Sequence, residues 1–282
     1  MIVARTRAEL DDATASLRSE GGTLALVPTM GALHVGHLSL VERAGEVADS
    51  VVLSVFVNPT QFGPGEDLDS YPRTLESDLE KAEERDVALV FAPESEAVVY
   101  PDGPPRVTVD PGEMGNRLCG RFRPGHFRGV LTVVTKLFGL VRPDVAVFGR
   151  KDFQQSVLIR RMVRDLELGV RIEVGGIVRE DDGLALSSRN AYLSEEERAQ
   201  APAIHEGLRA ARKLCRDGER GASALLSAAR RAIASRPLLE LQYAEVVDPE
   251  TLDPVDPAPS GSVLAVAAFC GETRLIDNVA MP

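Results

Sequence analysis

The chain lacks the features of a disulfide-stabilised or membrane-spanning protein. Its three cysteines, Cys119, Cys215 and Cys270, are odd in number and far apart, which argues against a disulfide framework or a thiolate zinc site. No apolar run is long enough to span a bilayer, and charged residues interrupt the first nine positions before any run could serve as a signal peptide. The sequence therefore predicts a cytoplasmic protein with reduced thiols and no membrane partner.

Basic residues are also scarce, because 32 Lys and Arg stand against 43 Asp and Glu, a net charge of −11. This balance disfavours a nucleic-acid binder, since affinity for polyphosphates depends on clustered Lys and Arg. Residues 117–189, however, carry 14 basic and 8 acidic side chains, so this stretch is +6 and the remainder is −17. A basic island in an acidic chain suits a small anionic ligand in a cleft, with a solvated charged face as the alternative.

Short apolar strands alternate with helical patterns over the first part of the chain. Strands are predicted at 23–28, 51–57, 87–91, 145–148 and 170–174, and helices at 38–44, 75–85, 127–141 and 153–166. Such repeated units predict a Rossmann-like α/β fold, in which a parallel sheet has helices on both faces. In these sheets ligands bind beyond the carboxyl ends of the strands, near the point where the strand order reverses.

The pattern changes after about residue 176. A helix is predicted to open after Ser194 and to run to Leu214, and a second helix covers 222–234. Strands follow at 240–247, 263–268 and 273–276. The sequence therefore predicts a Rossmann-like domain of residues 1–176 and a smaller α+β domain of residues 177–282.

Two of the four histidines, His34 and His37, flank Gly36 directly after the first predicted strand. At the start of a helix the unpaired backbone N–H groups favour an anion, and each imidazole can donate a further hydrogen bond to phosphate. Gly36, which has no Cβ, lets a flat ring approach the backbone. The alternatives are a metal site, which needs more ligands than the sequence offers nearby, and a purely structural pair.

The run from Pro28 to His37 resembles the HIGH signature of the adenylate-forming and nucleotidyl-transferring α/β superfamily, and within it the pantoate–β-alanine ligase family. Five further stretches resemble that family in the same order, at residues 56–63, 69–74, 123–130, 148–155 and 186–190. The resemblance implies an ATP-dependent condensation of pantoate with β-alanine through a pantoyl adenylate, with release of AMP and diphosphate. It also implies Mg2+ as a cofactor and a homodimer. The alternatives are another nucleotidyltransferase with the HIGH motif and a non-catalytic nucleotide sensor.

The resemblance further implies roles for individual residues. Catalytic roles are expected for His34, His37, Lys151 and Arg189. ATP is expected to contact Met30, Gly31, Ala32, Leu33, His34, Val35, Gly36, His37, Gly149, Arg150, Lys151, Asp152, Val178, Leu186, Ser187, Ser188 and Arg189. Pantoate or β-alanine is expected to contact Gln61, Gln155, Asn58, Phe56, Tyr71 and Arg123, and Asp78 is expected to bind Mg2+ through ATP.

These residue types suit the chemistry. Attack of a carboxylate on the α-phosphorus of ATP requires neutralised phosphates and reactants held in line, so cations and positioned donors are needed more than a protein nucleophile. Lys151 follows a predicted strand, and Arg189 supplies the charge in a closing loop where the related synthetases have lysine. Asp152 fits either an adenosine hydroxyl or magnesium. Cys119 stands where some family members carry glutamate, and we expect it to be a small buried thiol.

Overall fold

The computed structural model describes residues 1–19 and 21–282 and forms two compact units. The first unit contains Met1–Asn116, Gly120–Arg150 and Leu158–Gly176, and the second contains Arg117–Cys119, Lys151–Val157 and Ile177–Pro282. The main change of unit, at residues 176 and 177, lies where the sequence predicts a change of domain. Two short segments of the earlier chain belong to the second unit. The carbonyl of Arg117 accepts a hydrogen bond from Gln154, which joins the two segments, and the carbonyl of Lys151 accepts one from Asn278.

The first unit contains a six-stranded sheet in which every neighbouring pair is parallel. Its strands are β1 (Ile2–Ala4), β2 (Leu24–Thr29), β3 (Ser50–Val55), β4 (Leu89–Phe91), β5 (Val145–Gly149) and β6 (Arg171–Gly175). The central strands are nearly continuous apolar runs, as expected for strands buried on both faces, and Leu24, Leu26 and Leu53 are fully buried. The predicted Rossmann-like sheet is therefore confirmed.

Helices connect these strands along the chain. They are α1 (Arg7–Arg18), α2 (Val35–Gly45), α3 (Leu75–Glu83), α4 (Glu96–Val99), α5 (Leu118–Phe122), α6 (His126–Val141) and α7 (Phe153–Asp165). The strand order is β1-β4-β3-β2-β5-β6, so the chain leaves β2 toward β3 on one side and returns later to β5 on the other. The crevice at the carboxyl ends of β2 and β5 is thus the topological switch point, where ligands bind in folds of this kind.

The second unit contains a three-stranded antiparallel sheet in the order β7-β8-β9. Its strands are β7 (Leu239–Val247), β8 (Val263–Cys270) and β9 (Thr273–Ala280), and its helices are α8 (Glu195–Gln200), α9 (Ala203–Arg216) and α10 (Ala222–Ala234). Side chains of α9 and α10, including Leu208 and Leu225, form one apolar core with the sheet.

The structure differs from the prediction in one predicted helix and in elements that were not predicted, which include the short helices α4 and α5. The helix predicted from Ser194 to Leu214 is two helices, because Pro202 separates α8 from α9 and cannot donate to the continuing hydrogen-bond ladder. The amino-terminal β1 and α1 were not predicted. Among the residues that the structure describes, no helix combines the length and the apolar character that crossing a bilayer would need.

Candidate active site

A tight turn joins β2 to α2 and carries the first predicted ATP-binding residues. Gly31 and Ala32 both have positive φ angles, +85° and +50°, so the chain reverses sharply here. Asp78 of α3, which is 1% exposed, fixes this turn. Its Oδ2 atom accepts from Ala32 N at 2.9 Å and its Oδ1 atom accepts from Leu33 N at 2.7 Å.

The predicted magnesium role of Asp78 has to be compatible with the hydrogen bonds that it makes in this turn. Both carboxylate oxygens are already bonded to backbone N–H groups, and Thr74 Oγ1 donates a third hydrogen bond to Oδ2 at 3.3 Å. Across residues 1–19 and 21–282, no three His, Cys, Asp or Glu side chains come together in a way that could hold a metal ion. Asp78 therefore anchors the turn, and its role toward Mg2+ stays a prediction.

His34 and His37 lie at the start of α2, one turn apart. His34 is the N-cap residue, and its Nδ1 accepts from Gly36 N at 3.1 Å, while His37 Nδ1 faces the backbone N–H of His34 at 3.4 Å. The two rings stack with their centroids 4.0 Å apart. Because Nδ1 of each ring is an acceptor, each neutral imidazole carries its proton on Nε2. The start of α2 thus presents two neighbouring ring N–H donors beside the helix dipole, a combination that suits phosphate.

The polar residues after β3 form a second part of the site, in the short 3-10 turn Pro59–Gln61. Asn58 is 1% exposed and lies at the centre of a hydrogen-bond cluster. Its Oδ1 accepts from Tyr100 Oη at 2.8 Å, and its Nδ2 donates to Gln61 Oε1 at 3.1 Å. Gln61 Nε2 in turn donates to Met30 Sδ at 3.2 Å, which joins this turn to the loop that precedes His34. The structure therefore brings together Met30, Asn58 and Gln61, as the sequence predicts for one site.

Aromatic side chains flank the same turn. Phe56 is 9% exposed and lies 6.1 Å from the ring of Tyr100, while Tyr71 is 5% exposed and meets Phe62 edge to face at 6.0 Å. These contacts give the turn apolar supports on either side. Tyr100 was not predicted, since nothing in its local sequence distinguishes it from an ordinary core residue.

Arg123 forms an ion pair with Glu66, a residue that the sequence did not indicate as part of the site. Its Nε and Nη2 atoms donate to the two oxygens of Glu66, each at 2.6 Å, and Nη1 lies 2.9 Å from His126 Nε2. Since a guanidinium only donates, His126 Nε2 accepts and its Nδ1 carries the proton to Gln61 O at 2.8 Å. Glu66, Arg123 and His126 thus form a relay that holds the main chain of Gln61.

Glu66 is ionised by this relay. Burial by itself raises the pKa of Glu66, but the hydrogen bonds and charge of Arg123 and the N–H of Gly63 outweigh burial and lower the pKa from 4.5 to about 2. The predicted contact of Arg123 with substrate would have to be made by a guanidinium that is also paired with Glu66. This bidentate pairing holds the guanidinium in place, and its contact with substrate stays a prediction.

Gly149 and Arg150 occupy the carboxyl end of β5, next to the end of β2 in the sheet. Arg150 N donates to Gly175 O at 2.9 Å, which continues the pairing of β5 with β6 one residue beyond the strand. Both residues therefore lie at the switch point of the first unit, on the same edge of the sheet as the loop before His34.

The second unit carries the remaining predicted residues in two segments. In the first, Lys151 Nζ lies 3.8 Å from Asp152 Oδ2, and Gln155 is half-buried in the first turn of α7. The neighbouring Gln154 is 4% exposed and donates to Arg117 O at 2.8 Å. Gln154 is thus a structural residue, in contrast to Gln155.

The second segment is a hairpin, in which Leu186 N donates to Val178 O at 3.0 Å and Arg179 pairs with Ala185. Directly after it comes the 3-10 turn Ser188–Tyr192, and Ser187 Oγ caps this turn by accepting from Arg189 N at 3.3 Å. Ser188 and Arg189 are half-buried. The structure therefore presents the predicted closing loop as an ordered hairpin followed by a capped turn.

Cys119 is buried, as predicted, at 8% exposure. Its thiol lies 3.1 Å from Tyr243 Oη and accepts from Arg274 Nη2 at 3.4 Å. Burial, followed by the neighbouring thiol, raises the pKa of Tyr243. These polar contacts show that Cys119 belongs to the packing of the second unit.

A parallel α/β sheet with two stacked histidines at the helix start beside its switch point is the arrangement expected of a nucleotide-binding enzyme. Comparison with known proteins makes the assignment specific: the profile of the pantoate–β-alanine ligase family matches residues 2–280, and the chain belongs to that family. This match decides between the alternatives that the sequence left open. The activity is accordingly the ATP-dependent joining of pantoate to β-alanine.

The relatives agree over the full chain. A pantothenate synthetase of a Nocardioides species is 54% identical, and the match covers 99% of this chain and 84% of the relative. The crystal structure of pantothenate synthetase from Thermus thermophilus is similar with a TM-score of 0.94 at 46% identity, and the match covers 100% of both chains. The pantoate–β-alanine ligase of Francisella tularensis, solved in complex with βγ-ATP and β-alanine, has a TM-score of 0.82 at 35% identity, covering 99% of this chain and 97% of that one.

Proposed function

We propose that the ligase reaction proceeds in two steps through an enzyme-bound pantoyl adenylate. In the first step a pantoate carboxylate oxygen attacks the α-phosphorus of ATP, a phosphorus–oxygen bond forms, and the bond to diphosphate breaks. In the second step the amine of β-alanine attacks the acyl carbon, and AMP leaves as the amide bond forms. The observation that carries this proposal is the pair of Nε2–H donors of His34 and His37 at the start of α2.

The histidines are suited to the charge that develops in the first step. As the α-phosphorus is attacked, negative charge builds on its oxygens and on the departing diphosphate, and preorganised donors stabilise this charge most effectively. The backbone contacts that fix Nδ1 also fix the ring orientation, so no reorganisation is needed when the charge appears. We assign His37 to the α-phosphate and its leaving group, with His34 as a second donor and Gly36 clearing space for the nucleotide.

The other predicted residues take complementary roles in the proposal. Lys151 and Arg189 neutralise phosphate charge, with Ser187 and Ser188 as hydroxyl donors from the closing loop. Gln61 and Gln155 read the carboxylate and hydroxyls of pantoate, because neutral amides supply donors and acceptors in a fixed pattern. The remaining residues expected to contact ATP line the nucleotide: the turn 30–33, Val35, Gly149, Arg150, Asp152, Val178 and Leu186.

We further propose that Mg2+ enters as part of the ATP substrate, held by the phosphates, since the described residues offer no metal cluster of their own. Its contribution would be to neutralise phosphate charge. The proposed division of labour assigns nucleotide binding to the Rossmann-like domain and loop closure to the smaller α+β domain. A cytoplasmic homodimer is proposed on the family resemblance, and light scattering measures the subunit number.

Isotope exchange tests the proposed intermediate. Labelled diphosphate should exchange into ATP in the presence of pantoate without β-alanine, and the exchange should stop when pantoate is omitted. At steady state AMP should form only when both co-substrates are present. Release of ADP, or exchange that requires β-alanine, would overturn the adenylate mechanism.

His37→Ala tests the assignment of the phosphate donor. We expect the exchange rate to fall by about 100-fold or more, the magnitude typical of removing one preorganised donor to a developing oxyanion. Glu42→Gln, in the same helix with a side chain that is 60% exposed, serves as the control for helix integrity. Wild-type exchange by a folded His37→Ala protein would show that this position does not handle phosphate.

A further inference from the structure

Strand β9 places two buried polar residues, Asp277 and Asn278, next to each other in the second unit. They are 4% and 3% exposed. Successive residues of a strand point to opposite faces, so two adjacent side chains can reach two different segments. Here Asp277 reaches the hairpin that leads into the closing loop, and Asn278 reaches the main chain of Lys151.

Asp277 holds the hairpin through Arg179. Arg179 Nη1 and Nη2 donate to the two oxygens of Asp277 at 2.6 and 2.9 Å, and Nη1 also donates to Gly183 O at 3.0 Å. The Arg179 guanidinium thus bonds both Asp277 of β9 and Gly183 of its own hairpin. Because Leu186 closes this hairpin and Ser187 follows it directly, the position of β9 is transmitted to the closing loop.

His205 of α9 supports the same pair from another side. Its Nδ1 lies 3.8 Å from Asp277 Oδ2, and burial lowers its pKa, with the charge of Arg179 acting in the same direction. Arg179 supplies the charge that balances Asp277. Gly183, at a φ of +96°, lies so close that an added Cβ would be 2.5 Å from His205 Cδ2. The tip of the hairpin is consequently packed against α9 without space for a side chain.

Asn278 holds the second segment. Its Nδ2 donates to Lys151 O at 3.1 Å, and its backbone N–H donates to Asp277 Oδ1 at 2.7 Å. The amide therefore fixes the peptide from which the side chain of Lys151 departs. The same backbone N–H adds a third donor to Asp277, which couples the two anchors.

We propose that Asp277 and Asn278 are positioning residues for the first step of the reaction: Asp277, through Arg179, holds the hairpin that delivers Ser187–Arg189, and Asn278 holds the main chain of Lys151. One strand then sets the spacing between the two segments that meet the phosphates. This inference rests on the proposed function, in which Lys151 and Arg189 bind ATP. Neither Asp277 nor Asn278 contacts substrate in this scheme, so the effect of losing them must appear in the handling of ATP.

Isosteric substitutions test the proposal. Asn278→Asp keeps the size of the side chain but places an acceptor against Lys151 O, and Asp277→Asn removes the charge that faces Arg179. We expect each variant to raise the KM for ATP or to lower the rate of pantoate-dependent ATP–diphosphate exchange by about 10-fold to 100-fold, since misplacement by about 1 Å can cost 100-fold in rate. The KM for β-alanine should stay within about 2-fold, and Asp277→Glu should recover part of the loss.

Asp256→Asn provides the matched control. Asp256 is an acid of the same unit, and its Oδ1 accepts from Ala222 N at the start of α10, away from both phosphate-binding segments in the chain. This variant should leave the KM for ATP unchanged. Urea denaturation of every variant establishes that the protein assayed is folded, and Asn278→Asp decides the question if Asp277→Asn does not fold.

Two results would overturn the inference. One is wild-type ATP handling by the folded variants; the other is a loss of kcat that follows only the folded fraction, with the KM for ATP unchanged. Lys151→Ala and Arg189→Ala, assayed in parallel, separate this failure from that of the proposed function. If Lys151→Ala and Arg189→Ala lose exchange while the β9 variants keep it, only the positioning role of Asp277 and Asn278 fails. If Lys151→Ala and Arg189→Ala both keep wild-type exchange, the proposed phosphate role fails, and the inference that rests on it fails too.

Discussion

Replacing Glu66 by glutamine should weaken the first unit in a pH-dependent way. The change keeps the shape of the side chain but removes the negative charge that Arg123 contacts through two hydrogen bonds. In the folded protein the pKa of Glu66 is lowered from 4.5 to about 2, despite burial that acts in the opposite direction. A carboxyl whose pKa is depressed on folding stabilises the protein at pH values above its unfolded pKa, and this contribution is lost as the pH falls toward the folded pKa.

The size of the effect can be derived from the shift. A lowering from 4.5 to about 2 corresponds to about 3 kcal/mol at 1.36 kcal/mol per unit. Because the Glu66 side chain is 25% exposed, solvent screening reduces the expected value to about 1 to 2 kcal/mol. We expect Glu66→Gln to lower the free energy of unfolding by this amount at pH 7. The difference from wild type should shrink by about half at pH 3.5, inside the window between the unfolded and folded pKa values.

Urea denaturation of wild type and variant at pH 7, 5 and 3.5 measures this difference. Glu46→Gln is the control, because Glu46 pairs with Arg43 at the surface with its side chain 64% exposed, and its loss should cost less than about 0.5 kcal/mol. Since the relay from Glu66 ends at the carbonyl of Gln61, the KM for pantoate should also rise several-fold in Glu66→Gln. A difference in stability that is the same at all three pH values would refute the ionic origin of the effect.

Two further substitutions test the supports of the site. Gly129→Ala would place a Cβ 2.7 Å from Gln61 Cα and closer still to the carbonyl of Thr60. We therefore expect thermal unfolding to show a loss of about 2 to 3 kcal/mol in stability, and the KM for pantoate to rise. Gly139→Ala, in the same helix with open space around it, should show neither effect. Asp78→Asn should leave one N–H of the turn 32–33 without its acceptor, costing about 1 to 3 kcal/mol and raising the KM for ATP. A selective rise in the Mg2+ concentration required for activity, with stability unchanged, would instead restore Asp78 as a metal ligand.

The sheet could be predicted because its signal is local. Strands β2, β3 and β5 are short apolar runs ended by polar loops, and burial on both faces leaves no other place for such runs. The small β1 has three residues, too few for a periodic pattern to stand out. For α1 a signal was available, since Thr6 and Glu9 form a capping box at its start.

The residues predicted to face ligand could be chosen from sequence because motif residues cluster at strand ends, and their contacts with ligand stay predictions. The acids that support the site through long-range contacts could not be paired with their partners from sequence. Glu66 lies 57 residues from Arg123, Asp78 lies 45 residues from Leu33, and Asp277 lies 98 residues from Arg179. An acid in a polar loop or on a helix has the same appearance whether it faces solvent or a buried guanidinium, so only the folded structure reveals the pairing.

The three hidden acids share a feature that bears on how an acidic chain can bind a polyanion. Arg123 balances the charge of Glu66 and Arg179 that of Asp277, while backbone N–H groups bond both oxygens of Asp78. An unpaired carboxylate near a triphosphate would repel it, whereas a paired one stiffens the loop without adding net charge to the surface that meets the ligand. The donors proposed to contact phosphate can then be fixed before ATP arrives, which is the condition for electrostatic stabilisation without reorganisation. In this arrangement the net charge of −11 and the binding of ATP are compatible, because Arg123 and Arg179 balance the charges of two acids that support the proposed binding segments.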